Sequence, residues 1–173
     1  MPKGIQPIFT NVIATGGGLT FNNIPQTYDD LYLVASIKDN TSGGGYGQTL
    51  YMTFNSDNGA NYSSLYIEGT GTTSYSSNTG YSQTGFRLGV VNSTGASSTS
   101  IYGSLSLHIP QYRSGTFKNW VCDYVTENNA ANAYAGHGNG SWRGNGAINS
   151  ISIGTGFSLN QNTSWSLYGL KGM

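Results

Sequence analysis

Apolar residues along this chain recur at every second position over short runs, and seldom at the three-and-four spacing of a helix. From Leu31 to Lys38, Leu31, Leu33, Ala35 and Ile37 fall on one face of an extended segment, while Tyr32, Val34 and Ser36 fall on the other. In SLSLHIP, Leu105, Leu107 and Ile109 share a face, His108 points away at the rim, and Pro110 ends the run because it cannot donate to a ladder. In FKNWVCDYV the same period groups Trp120, Cys122 and Tyr124 against Asn119, Val121 and Asp123. Similar runs cover Leu19–Asn22, Thr49–Asn55, Ser63–Glu68, Thr84–Val90, Tyr102–Ile109, Thr116–Val125, Ala147–Ile153 and Ser164–Leu170. Gly, Asn, Ser and Thr interrupt every window long enough for a helix. Eight or nine short strands over 173 residues suit an all-β, two-sheet antiparallel β-sandwich better than a small barrel.

The punctuation between runs is equally readable. NNIP closes one strand, since Pro25 pushes Ile24 toward extended or turn geometry, and QTYDD is the corner that follows. In FNSDNGANYSSLYIEG, the Asp57-Asn58-Gly59 step reads as a hairpin turn rather than a calcium loop, because the alternate oxygen ligands and closing Glu are out of register. NTSGGGYGQ, GTGTTSYSSNTGYSQ and NSTGASSTS read as long low-complexity loops that carry Tyr46, Tyr75 and Tyr81 to the surface. AYAGHGNGSWRGNG reads as a glycine-rich loop that holds His137 without an acidic neighbour.

Charge narrows the function. Charged residues make up 8% of the chain, seven basic against seven acidic. The basic ones, from Lys3 to Lys171, are scattered singly, which excludes binding by phosphate neutralisation and hence a nucleic-acid partner. With no net charge, solubility rests on hydration of Ser, Thr, Asn and Gly, or on an assembly that covers the surface. The single Cys122 has no partner for a disulfide and no His or Cys cluster for zinc, and reads as a small buried hydrophobe. Asp29, Asp30, Glu68, Asp123 and Glu127 are the carboxylates available for glycosidase chemistry, and no pair of them is marked by a motif. No catalytic, cofactor-binding or metal-binding residue is assigned.

Residues 1–18 contain an apolar stretch broken by Pro7, Thr10 and Asn11, too short and polar for a signal peptide, and no run of about 20 apolar residues follows to span a bilayer. The expected organisation is an extended N-terminal arm at residues 1–18 and a sandwich domain at 19–173. Ile5, Ile8 and Phe9 would anchor the arm in a neighbouring protein.

Taken in order, FNNIPQTYDDLYLVAS, FNSDNGANYSSLYIEG, LHIPQY, DYVTENNAANAYAGHGNGSW, AINSISI and SWSLYGLK span the chain from about Thr20 to Lys171. This succession resembles a family of small virion structural proteins of tailed bacteriophages, whose pattern runs FxNIPQTYxDLxLV, FNGDxGxNYS, IPNYxxxxxK, SENNAtaaY, aItSItl and xLYGI. The resemblance implies a jelly-roll sandwich located on the virion and assembled in the host cytoplasm, with no enzymatic activity, cofactor or membrane partner. The resemblance does not say where on the virion; a single domain with a short extended arm leads to the expectation of a capsid decoration (cement) protein, a homotrimer that contacts the major capsid protein and stabilises the head lattice. The alternative is a carbohydrate-binding module of a tail fibre or baseplate. Trp142, Tyr46, Tyr75 and Tyr81 would then stack on the sugar rings of a host surface glycan.

Overall fold

The computed structural model describes residues 4–13, 16–40, 48–91, 101–127 and 133–172. Among these residues the chain forms twelve strands and no helix: β1 (Gly4–Ile13), β2 (Gly16–Phe21), β3 (Asp30–Ile37), β4 (Gln48–Phe54), β5 (Tyr62–Gly69), β6 (Ser74–Gln83), β7 (Phe86–Val91), β8 (Gly103–Ile109), β9 (Lys118–Glu127), β10 (Ala133–Trp142), β11 (Ile151–Leu159) and β12 (Thr163–Lys171). They pair antiparallel into an eight-stranded sheet, β1-β12-β3-β8-β9-β10-β5-β6, and a four-stranded sheet, β2-β11-β4-β7. With the hairpins β5-β6 and β9-β10 set aside, β1-β12-β3-β8 facing β2-β11-β4-β7 is the strand order of a jelly roll. The two hairpins widen one sheet of that roll.

Alternation sets which side chains meet. Leu31, Leu33, Ala35 and Ile37 of β3 are buried beside Leu105, Leu107 and Ile109 of β8, and Trp120, Cys122 and Tyr124 of β9 continue the same inner face. Phe54, Met52 and Leu50 of β4 and Phe86 and Leu88 of β7 close on them from the other sheet. Phe86 stacks on Trp120 with ring centroids 4.2 Å apart. Cys122 is buried and its thiol donates to the Leu88 carbonyl oxygen at 3.0 Å, as a small core residue should.

Three strands lie where the alternation gave no sign of one. The segment expected as an arm supplies β1, an edge strand paired with β12 from Gly4↔Lys171 to Ile13↔Thr163, and β2 begins at Gly16 inside the same segment. Pro7, which reads as an interruption, sits at a β-bulge on this edge strand, where its missing N–H costs no ladder bond. The stretch expected as a polar loop around Tyr75 and Tyr81 forms β6 against β5; having no apolar residue but tyrosine, it shows no hydrophobic period.

The supposed glycine-rich loop around His137 is β10, a strand between β9 and β5. Its inward positions Gly136 and Gly140 lie beneath the Tyr124 and Trp120 rings, so the large rings of β9 cover the place where side chains of β10 would stand. The glycines that erase the hydrophobic signal of this strand therefore make room for its neighbour's aromatics.

Most of the motif-like pieces meet at one end of the sandwich, where 22–29, 55–61, 110–117 and 143–150 connect the strands. Asn55 donates to the Ala147 carbonyl at 2.8 Å and its Oδ1 accepts from the amides of Asn149 and Ser150 at 2.8 and 3.1 Å. Gln26 donates to the carbonyls of Ile24 and Ile148 at 2.8 and 3.0 Å, and the buried Tyr112 hydroxyl donates to the Pro25 carbonyl. Lys118, fully buried, turns its ammonium onto the carbonyls of Ser114 and Thr116, and desolvation lowers its pKa.

The Asp57-Asn58-Gly59 step is not a hairpin turn. β4 and β5 belong to different sheets, so it forms an inter-sheet corner, with the left-handed residues at Asn55 and Ser56 (φ 52° and 57°). Desolvation raises the Asp57 pKa, but hydrogen bonds from the Trp142 indole, the Gly59 amide and the Asn61 side chain outweigh it and leave the carboxyl below its ordinary value. The Tyr62 hydroxyl accepts from the Phe54 amide and donates to the Asp57 carbonyl, and burial pushes its pKa up to about 12.

Candidate functional site

The eight-stranded sheet has one face covered by the smaller sheet and one face outward. On the outer face, register pairs form a continuous row of Thr10, Ser166, Val34, Ser106, Asp123, His137, Ile67 and Ser76. A second row reads Pro7, Tyr168, Tyr32, His108, Val121, Asn139, Leu65 and Asn78, and a third passes through Ser164, Ser36, Ser104, Val125, Ala135, Gly69 and Ser74. Asp123 is the single carboxylate in these rows, and His137 pairs with it at 2.7 Å. Leu65 and Ile67 on β5 and Val125 on β9, the two strands that flank β10, expose apolar surface, Ile67 to 61%. The face is thus broad and sparsely charged, with Asp30 and Glu127 at outward register positions beyond these rows, and it is set with small hydroxyls, tyrosines and a few aliphatic side chains.

The His137–Asp123 pair is set by cross-strand register, which the sequence around His137 does not reveal. His108 is half-buried on the outer face and lies 3.0 Å from Asp30, whose other oxygen accepts from the Gln111 amide at 2.8 Å. Asp29 binds Arg113 and the Gly172 amide, and these contacts hold its pKa below the ordinary carboxylate value, the Gly172 bond contributing most.

Glu68 faces inward. Its carboxylate takes the Arg87 guanidinium at 2.7 Å and the Tyr124 hydroxyl, and Arg87 lies over the Tyr66 ring, 4.1 Å from its centroid. Burial, reinforced by that carboxylate, drives the Tyr124 pKa upward. Glu68 is therefore on the opposite face of the sheet from Asp123, and Asp29 and Asp30 stand at the connection-rich end. Among the described residues, no group of three or more His, Cys, Asp or Glu side chains converges as a metal site.

The anticipated contact residues divide. Of the three N-terminal anchors, Ile5 is 62% exposed, whereas Ile8 and Phe9 pack against the protein's own core, Phe9 with its ring centroid 5.6 Å from that of Phe21. Trp142 is not a stacking platform. It is 3% exposed, packs on Phe54 and Tyr62, and donates its indole N–H to Asp57 Oδ2 at 2.7 Å. A buried indole whose nitrogen has its partner within the fold is a core residue, however glycine-rich its neighbourhood. Tyr75 is 51% exposed on β6, Tyr81 lies in the same strand, and Tyr46 falls outside the described residues.

No protein-family model, curated protein or solved structure matches the chain. Its fold is a β-sandwich with jelly-roll order, and its candidate contact surface is the outer face of the larger sheet.

Proposed function

We propose that this chain is a non-enzymatic structural protein of a tailed-phage virion, a decoration protein that binds the capsid lattice as a homo-oligomer. The observation that carries the reading is the outer face of the eight-stranded sheet, a broad surface where a few charged side chains, among them Asp30, Asp123 and Glu127, stand among hydroxyls and several exposed aliphatic side chains. A face of that width, at about 4.8 Å per strand, has the extent of a standard protein interface, and its sparse charge is what a permanently covered surface tolerates. The ordered motifs of the resemblance and the absence of net charge support the same reading.

Immunogold labelling of intact virions of the encoding phage, with antibody against this chain, tests it. Label spread over the head is the expected result, together with a gain in thermal stability when purified protein is added to capsids lacking it. Label confined to the tail would replace this reading with the tail-fibre or baseplate one, and unlabelled virions would end both.

A further inference from the structure

Where the β5–β6 hairpin passes the β7 edge of the smaller sheet, a cavity of about 130 Å³ opens between Tyr51, Arg87 and Gly85 on one side and Ser64, Tyr66 and Thr79 on the other. We propose that this cavity is a binding site for a single neutral sugar residue. The inference does not rest on a head or tail location.

Three features argue for it. First, Ser64 is 5% exposed and lines the cavity, yet its Oγ has no hydrogen-bond partner among the described residues. A buried hydroxyl without a partner is costly unless something enters to satisfy it. Second, the one charged wall is already balanced. Arg87 is held by Glu68 and by the Tyr66 ring, so the site has no net charge with which to attract an anion. Ligand hydroxyls, which both donate and accept, can pair with an arginine N–H and with the unpartnered Ser64 hydroxyl without bringing a charge. Third, Tyr51, opposite Arg87 in the β4–β7 register, is half-exposed at the cavity and offers an aromatic surface to the apolar C–H face of a pyranose.

The volume, about that of four liquid waters at ~30 Å³ each, admits one ring and leaves the rest of a glycan in solvent. Thr79 is fixed in place by its two-way bond with the Ser64 backbone, at 3.2 and 3.3 Å, so the floor of the site is pre-organised.

Saturation-transfer NMR with the full chain and glucose, galactose, mannose, N-acetylglucosamine and glucuronate tests the assignment. The expected result is transfer to at least one neutral sugar, weaker transfer to glucuronate, and a loss of roughly tenfold or more in both Tyr51→Ala and Ser64→Val. Tyr51 lies at the surface, so its variant keeps the fold, and an unchanged urea midpoint confirms that. No transfer to any neutral sugar, preference for glucuronate, or transfer undiminished in a folded Tyr51→Ala variant would each overturn the proposal. All three leave the virion reading untouched.

Discussion

Gly140→Ala tests the account of β10 directly. A Cβ at this position would overlap the Ser63 carbonyl oxygen and stand 2.5 Å from Trp120 Cζ2 and 2.9 Å from Cε2. Neither obstacle yields easily, because the Ser63 carbonyl is backbone in a strand paired on both sides and Trp120 is stacked on Phe86 at 4.2 Å. Overpacking of this kind costs roughly 1–3 kcal/mol, and two rigid neighbours place it near the upper end. Replacing glycine also narrows the unfolded ensemble, which returns about 0.4–1 kcal/mol. The balance is a destabilisation of about 2 kcal/mol, equivalent to a Tm lower by roughly 4–8 °C in a chain of this size.

Gly154 on β11 is the matched control, since a Cβ there would meet nothing within 4 Å. Gly154→Ala should be neutral or more stable by up to ~1 kcal/mol. Urea unfolding followed by tryptophan fluorescence reads both. If Gly140→Ala unfolded at the wild-type midpoint, or if the two variants shifted alike, the glycines of β10 would not be the seats of the β9 rings.

Three further outcomes follow from other parts of the fold. Because the folded pKa of Asp57 is depressed, its contribution is fully present above the unfolded value of ~3.9 and is lost as pH falls through the folded value. Asp57→Asn should lower the urea midpoint at neutral pH and lower it less at about pH 2; an equal loss at both would refute the charge-based account. Burial raises the Cys122 pKa well above that of a free thiol, so a disulfide-exchange reagent should label it only at the rate of global unfolding, and rapid labelling of native protein would contradict its placement. Deleting residues 1–13 should expose the β12 edge and yield destabilised or aggregating protein by calorimetry and sedimentation, whereas a detachable arm would leave the transition unchanged.

The sandwich was legible where one face of a strand is apolar and the other polar, as in β3, β8 and β9. It was not legible in β10, whose core-facing positions are glycines serving another strand's rings, nor in β6, where both faces are polar. Trp142 shows the corresponding limit for function: an aromatic between glycines reads as exposed until the Asp57 carboxylate that receives its N–H is seen five strands earlier in the chain. Nothing in the sequence around Tyr51 or Arg87 marks a cavity, since its walls come from four strands in two sheets. The His137–Asp123 pair was hidden for the same reason, as its partners meet only through register.

The hydrogen-bonded connections at one end of the roll give the molecule a fixed foundation. Asn55, Gln26 and Tyr112 bind backbone groups from distant segments, so a change in length there would unfasten several strands at once. Lineages of this chain should therefore inherit this end with its lengths unchanged, and their kinship should be sought there.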